Sequence, residues 1–176
     1  MTFNNDMIPK KNSLGRFLIS DTSADNVNTR LISVLYLDDD PELINLICMY
    51  LEKTGEMMVD TSGSVEEAMN KMRYISYDVI VTDYTAKGNN GNELLRNVRA
   101  KGERIPFVYF VVFRNTQYDD EAKQFRQVSV IEKMGNSGAN LSKLRQAILD
   151  SVKENRINTI VHTKQYGVRP DGSAKS

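Results

Sequence analysis

The amino-acid sequence predicts an α/β fold: a doubly wound, five-stranded parallel sheet built from five βα units. Three observations predict it. Between residues 31 and 155, short apolar runs alternate with segments of helical spacing, as a parallel sheet with crossover helices requires. The runs are nearly continuous in apolar residues, the pattern of strands buried on both faces. Several of them end in Asp or Lys, and in such sheets ligands bind at the carboxyl ends of the strands.

The first predicted strand is Ile32–Leu37, which stops at Asp38-Asp39-Asp40-Pro41. Asp40 reads as a helix N-cap, with Pro41 at the first helical position, where a missing N–H costs nothing. Leu43, Ile47 and Leu51 share one face of that helix, which closes at Gly55. Met57–Val59 is the second strand. Ser64, with Glu67 three residues on, opens the second helix as a capping box; Val65, Ala68, Met69 and Met72 face inward. Val79–Val81 is the third strand, ending at Asp83. Asn89 or Asn90 then caps a helix carrying Leu94, Leu95 and Val98. Pro106–Val112 is the fourth strand, followed by a helix from Asp119 to Gln127 with Ala122 and Phe125 inward. Val128–Ile131 is the fifth strand. The last helix places Leu141, Leu144, Ile148 and Val152 at helical spacing. The polar, aperiodic residues 1–30 predict a flexible N-terminal tail and 156–176 a flexible C-terminal one, which leaves 31–155 as the domain.

The chain carries 23 basic and 23 acidic residues. Residues 1–30 hold four basic and three acidic residues, and 156–176 hold four and one, so the domain itself is at −4. Charge therefore supplies no ground for expecting nucleic acid as a partner. A single Cys48 excludes a disulfide framework or a multi-cysteine metal site, and a single His162 excludes a histidine-rich one. No apolar run is long enough to span a membrane, and the first twenty residues lack a secretory apolar core. The expected location is cytoplasmic.

With the strands in the order 2-1-3-4-5, the first and third are neighbours, and Asp38, Asp39 and Asp83 converge. Three such carboxylates repel one another. A hard divalent cation such as Mg²⁺, satisfied by one or two carboxylates plus water, resolves the repulsion. Lys133, at the end of the fifth strand, supplies a long-stemmed cation that can reach a phosphoryl oxygen. The set suits phosphoryl transfer to a carboxylate, forming an acyl phosphate. Asp83 stands alone at its strand end and is the best nucleophile; Asp38 and Asp39 look like metal holders. The plainer alternative is a structural cluster of ion pairs.

Four stretches carry a family resemblance: Val34–Leu43, Tyr77–Asp83 with Gly91 eight residues on, Ile105–Phe110, and Lys133 at its strand end. Asp39 and Asp83 are 44 residues apart, and Asp83 and Lys133 are 50 apart. Over residues 31–155 the chain resembles a response-regulator receiver domain of two-component signalling. Tyr50–Gly55 and the wording around Thr82-Asp83-Tyr84 are most similar to archaeal receivers, which are often joined to PAS and histidine-kinase modules. The resemblance implies a flavodoxin-like (βα)5 fold and Asp83 as phosphoacceptor. It implies Mg²⁺ held by Asp39, Asp83 and the backbone carbonyl of Thr85, with Asp38 assisting, and Lys133 contacting the phosphate or Asp83. It further implies a histidine kinase as phosphodonor and a downstream protein partner, and it leaves a homodimer open; from charge and hydropathy, neither nucleic acid nor a membrane is expected as a partner. No enzyme activity is expected beyond self-catalysed aspartyl phosphorylation and dephosphorylation. About twenty residues follow the last predicted helix, so output is expected through protein contacts without a DNA-binding domain.

The sequence departs from the family at its switch positions. The usual Thr or Ser ending the fourth strand is Val111, and the small residue after it is Val112, expected to narrow access to Asp83. The aromatic residue of the fifth strand is Val130. Ala86-Lys87 replaces Met-Pro, and Lys133-Met134 replaces Lys-Pro, for which a trans bond is expected. The acid cluster thus survives while the switch residues do not. That pattern supports a second reading, a degenerate receiver that docks without phosphorylation. A flavodoxin-like cofactor binder is disfavoured, since the chain has no glycine-rich phosphate loop and no tryptophan.

Overall fold

Six consecutive buried residues, Ile32–Leu37, form β1 at the centre of the sheet. The structure is a computed structural model and describes residues 30–86, 89–133 and 137–166. The N-terminal tail expected over 1–30 lies outside them except for Arg30, which is ion-paired to Asp78. Helix α1 (Pro41–Glu52) starts where expected: the Asp40 carboxylate accepts from the N–H groups of Glu42 and Leu43, and Pro41 takes the first position. Its chain reverses at Gly55, whose φ of +69° lies in the left-handed region that glycine enters without strain. Strand β2 runs over Met57–Ser62. Helix α2 (Val65–Lys71) is capped by Ser64, which accepts from the Glu67 N–H. Glu67 returns the bond one residue earlier than a capping box would, to the N–H of Gly63 at 2.9 Å.

Strand β3 is Val79–Thr82, α3 is Gly91–Ala100 and β4 is Phe107–Val111. A two-residue antiparallel pairing, Thr85–Ala86 with Asn89–Asn90, bridges β3 to α3. The expected asparagine cap of α3 rests on side chains outside the described residues. Helix α4 spans Thr116–Lys123, earlier than the predicted Asp119–Gln127, because Asn115 caps it through the N–H groups of Gln117 and Tyr118. Phe125 lies past the helix and still packs on the core. Strand β5 is Val128–Glu132, and α5 is a single helix over Ser137–Tyr166. The C-terminal tail expected from residue 156 is therefore helical as far as Tyr166. Ile157, Ile160 and Val161 in that extension are exposed. No helix among the described residues is long and apolar enough to cross a membrane.

All five strands are parallel in the order β2-β1-β3-β4-β5, the order the sequence predicts. Alternate strand residues feed two cores, as a period of two requires. Ile32, Val34, Tyr36, Val79, Val81, Val108 and Phe110 pack against α1 and α5 on one face. Leu35, Leu37, Ile80, Phe107, Tyr109 and Val111 pack under α2, α3 and α4 on the other. The four residues predicted to anchor the last helix, Leu141, Leu144, Ile148 and Val152, are all buried. Among the described residues β2 has a strand neighbour on one side only. On its open side the Val59 N–H donates to Glu52 Oε1 at 2.8 Å, and Lys71 Nζ donates to the Thr61 carbonyl at 2.5 Å.

Candidate functional site

Parallel strands bring every carboxyl end to one edge of the sheet, and the strand order sets which ends are neighbours. β1 pairs with β3 in the register Leu37↔Thr82, so Asp38 and Asp83 leave the sheet side by side. Asp38 is 4% exposed. Its Oδ2 accepts from the Tyr36 hydroxyl at 2.5 Å and its Oδ1 from the Asp40 N–H at 3.0 Å. Burial pushes the Tyr36 phenol far above its ordinary value, and the hydrogen bond to Asp38 and the charges of Asp38 and Asp83 push it further. Tyr36 therefore remains a donor. Sequence reasoning missed it, although residues two apart on a strand share a face.

Asp39 is half-buried and makes no hydrogen bond or ion pair among the described residues. The exposed Asp40 side chain serves the helix cap.

The Asp83 side chain is 21% exposed. Its Oδ1 accepts from the Tyr84 N–H at 2.6 Å, and its Oδ2 lies 3.5 Å from Lys133 Nζ. Burial raises the Asp83 pKa above the ordinary carboxylate range; Lys133 and the Tyr84 N–H oppose the shift, and the Asp38 charge adds to it. Lys133 is held by its backbone, whose N–H donates to the Val111 carbonyl at 2.7 Å. Its ammonium stands 4.8 Å from the centre of the Phe110 ring, a cation–π distance. The turn after Asp83 closes through the Gly91 N–H and the Tyr84 carbonyl at 2.9 Å. A side chain at Gly91 would overlap the Asp83 carbonyl oxygen and come within 2.9 Å of the Thr82 side chain. Gly91 thus allows α3 to start against the end of β3.

Thr85, expected to offer its carbonyl, lies in the short antiparallel pairing two residues past Asp83. Val111 is fully buried in the core under α3 and α4. Val130 is half-buried beside Ala122, in a groove between α4 and β5. Val112, expected to narrow access to Asp83, is 49% exposed just past the end of β4. Lys87 and Met134 lie outside the described residues, and with them the Lys133–Met134 bond. Cys48 is half-buried, and burial pushes its thiol up, the property of an unreactive cysteine.

The structure thus brings Asp38, Asp83 and Lys133 together, with Asp39 beside them in sequence. Among the described residues no three His, Cys, Asp or Glu side chains stand close enough to hold a metal ion. The donors that are present are hard carboxylate oxygens. Among the described residues, both Asp38 oxygens accept hydrogen bonds and Asp83 is engaged by Tyr84 and Lys133, whereas Asp39 has no partner. Such a set suits Mg²⁺, which needs one or two carboxylates and keeps several waters.

Sequence reasoning also missed a group behind Asp83. The Tyr84 hydroxyl donates to Asp119 Oδ1. Arg114 Nε donates to Asp119 Oδ2 at 2.8 Å. Burial works against the Asp119 charge, but Tyr84 and Arg114 outweigh it and hold this carboxyl below its ordinary value. The Tyr84 ring lies 4.8 Å from that of Tyr109 and 5.4 Å from that of Tyr118. No spacing rule connects residues 84, 114 and 119, which only the packing of α4 brings together.

A doubly wound (βα)5 sheet with two aspartates after β1, one after β3 and a lysine after β5 defines a class of domain. The chain belongs to the response regulator receiver domain family, which it matches over residues 34–149, more than half its length. It is 32% identical over 73 residues to the transcriptional regulatory protein ResD of Bacillus subtilis, covering 42% of this chain and 30% of that protein. It is 35% identical over 78 residues to the transcriptional regulatory protein TrcR of Mycobacterium tuberculosis, covering 44% and 30%. The chain thus spans less than a third of the length of these relatives. Among solved structures, the response regulator TrrA of Thermotoga maritima, in complex with Mg²⁺-BeF, superposes with a TM-score of 0.55 at 21% identity, over 66% of this chain and 99% of that one. That likeness shows a shared fold.

Proposed function

We propose that the chain is a phosphoryl-accepting receiver whose acceptor is Asp83. The observation that carries this reading is the Asp83–Lys133 pair at the carboxyl edge of a parallel sheet, in a chain of the receiver family. Oδ1 of Asp83 is engaged by the Tyr84 N–H, which leaves Oδ2, the oxygen facing Lys133, as the attacking atom. Oδ2 forms a bond to phosphorus, the phosphorus–nitrogen bond of a kinase phosphohistidine breaks, and the imidazole nitrogen leaves with the electron pair and takes a proton. Lys133 stabilises charge on the transferred oxygens. Asp39 and Asp83, with the Thr85 carbonyl and Asp38 through water, would hold Mg²⁺, which supplies charge neutralisation when bound. The protein is otherwise no enzyme: its chemistry ends with its own acyl phosphate and the hydrolysis of that bond. Its output goes through protein contacts.

The test is intact mass after incubation with Mg²⁺ and acetyl phosphate. A phosphoryl adduct is expected, absent in Asp83→Asn and in an EDTA-treated sample. A second reading, a docking module that works unphosphorylated, is favoured by Val111, which puts a buried apolar side chain at the end of β4. No adduct, with Mg²⁺ binding shown separately, would establish that reading instead.

A further inference from the structure

Asp83 and helix α4 are joined through Tyr84, which hydrogen-bonds to both. The Tyr84 N–H holds Asp83 Oδ1 at 2.6 Å. The side chain of the same residue reaches the other way, where its hydroxyl donates to Asp119, a buried carboxylate in the first turn of α4. Asp119 is fixed from outside by Arg114, through Nε at 2.8 Å and a second guanidinium nitrogen at 2.7 Å. Tyr84 is buried and its ring packs against those of Tyr109 and Tyr118, the latter also on α4. A buried ring packed against two others and bonded at its tip cannot turn without moving what it touches. Its backbone cannot shift at Asp83 without carrying the ring. The Val111 side chain, buried in the core that includes Ala122 of α4, carries no polar group that could do the same.

We propose that Tyr84 is a positioning residue that couples the carboxylate of Asp83 to the first turn of α4 through Asp119 and Arg114. The proposal deepens the reading of Asp83 as acceptor and rests on it for its purpose. Any change in what Asp83 Oδ1 accepts, whether by a new bond to Oδ2 or by loss of charge, alters the pull on the Tyr84 N–H. The Tyr84 ring then conveys that change to the segment that begins at Asn115. The exposed side chains of Val112 and Phe113 lie just before that segment, so the first turn of α4 and the loop leading to it form the surface on which a partner would read it.

The test does not need phosphorylation. Amide spectra are recorded for the parent protein, Asp83→Asn, Tyr84→Phe and the double variant. In the parent background, Asp83→Asn is expected to shift the amides of Gln117, Tyr118 and Asp119 while leaving those of α2 in place. In the Tyr84→Phe background those α4 shifts are expected to vanish. Arg114→Gln, at a half-exposed side chain, is expected to give the same loss and serves if Tyr84→Phe does not fold. Equal α4 shifts in all backgrounds, or no α4 shift in the parent, would overturn the coupling. The acceptor reading fails by a different result, the absence of a phosphoryl adduct in the mass experiment.

Discussion

Lys133 Nζ stands 3.5 Å from Asp83 Oδ2, although the two residues follow strands β5 and β3, which are separated by β4. The lysine crosses the end of β4 over the Phe110 ring, and its charge offsets part of the cost of burying Asp83. Part of that cost remains, because the Asp83 pKa still lies above the ordinary range.

The folded protein therefore binds the Asp83 proton more tightly than the unfolded chain does. The associated stabilisation is complete below the unfolded value near 3.8 and is lost as pH rises through the higher folded value. Asp83→Asn removes this titration. Denaturant unfolding should show Asp83→Asn gaining on the parent as pH rises from about 3 to about 7. Lys133→Met removes the cation that opposes the shift and should lose stability over a wider pH range than the parent. A pH-independent difference between parent and Asp83→Asn would contradict the assignment.

Mg²⁺ should stabilise the fold by binding the native state alone. At about a hundredfold its dissociation constant the gain is about 2.7 kcal/mol, read as a rise in the unfolding midpoint and reversed by EDTA. Asp39→Asn should lose most of that gain, because Asp39 is the carboxylate with no other partner among the described residues. Asp40→Asn should keep it, since Asp40 serves the helix cap.

Gly91→Ala sets two effects against each other. Alanine is the better helix former by about 1 kcal/mol, but its methyl group would overlap the Asp83 carbonyl. Backbone cannot yield as a flexible side chain can, and overpacking costs about 1–3 kcal/mol. Urea unfolding should show net destabilisation, with amide shifts centred on Asp83 and Tyr84.

Asn92 is buried and takes part in two bonds: its Oδ1 accepts from the Tyr109 hydroxyl at 2.6 Å, and its Nδ2 donates to Glu121 Oε2 at 3.0 Å. Asn92→Ala should cost about 1–3 kcal/mol, because the Tyr109 hydroxyl is left buried without a partner. Tyr109→Phe in the Asn92→Ala background should recover part of the loss. Additive losses in a thermodynamic cycle would show that the pair does not interact.

Most of the fold was legible because it follows local rules. Apolar runs gave the strands, Asp40-Pro41 and Ser64 gave two helix starts, and Asp83 and Lys133 were found from where their strands stop. α4 was misplaced because its few inward residues, Tyr118 and Ala122 among them, do not show where a helix begins, whereas the Asn115 cap does. The helix over 156–166 was missed because Ile157, Ile160 and Val161 are exposed and make no core stripe to signal it. At the site, Tyr36 was readable from strand spacing. The Tyr84–Asp119–Arg114 group was not, because it exists only once α4 has docked.

The two side chains that reach the open side of β2 settle how this sheet treats visitors. The Ser62 carbonyl accepts from Asp38 on the β1 side, and successive carbonyls of a strand alternate in direction, so Thr61 and Val59 turn their polar groups outward. Lys71 from one face and Glu52 from the other already occupy them. A stray extended segment meets neither a free acceptor at Thr61 nor a free donor at Val59, and it must displace a lysine and a glutamate before it can add itself as a sixth strand. Two helices thus guard the β2 edge of the sheet against edge-to-edge aggregation.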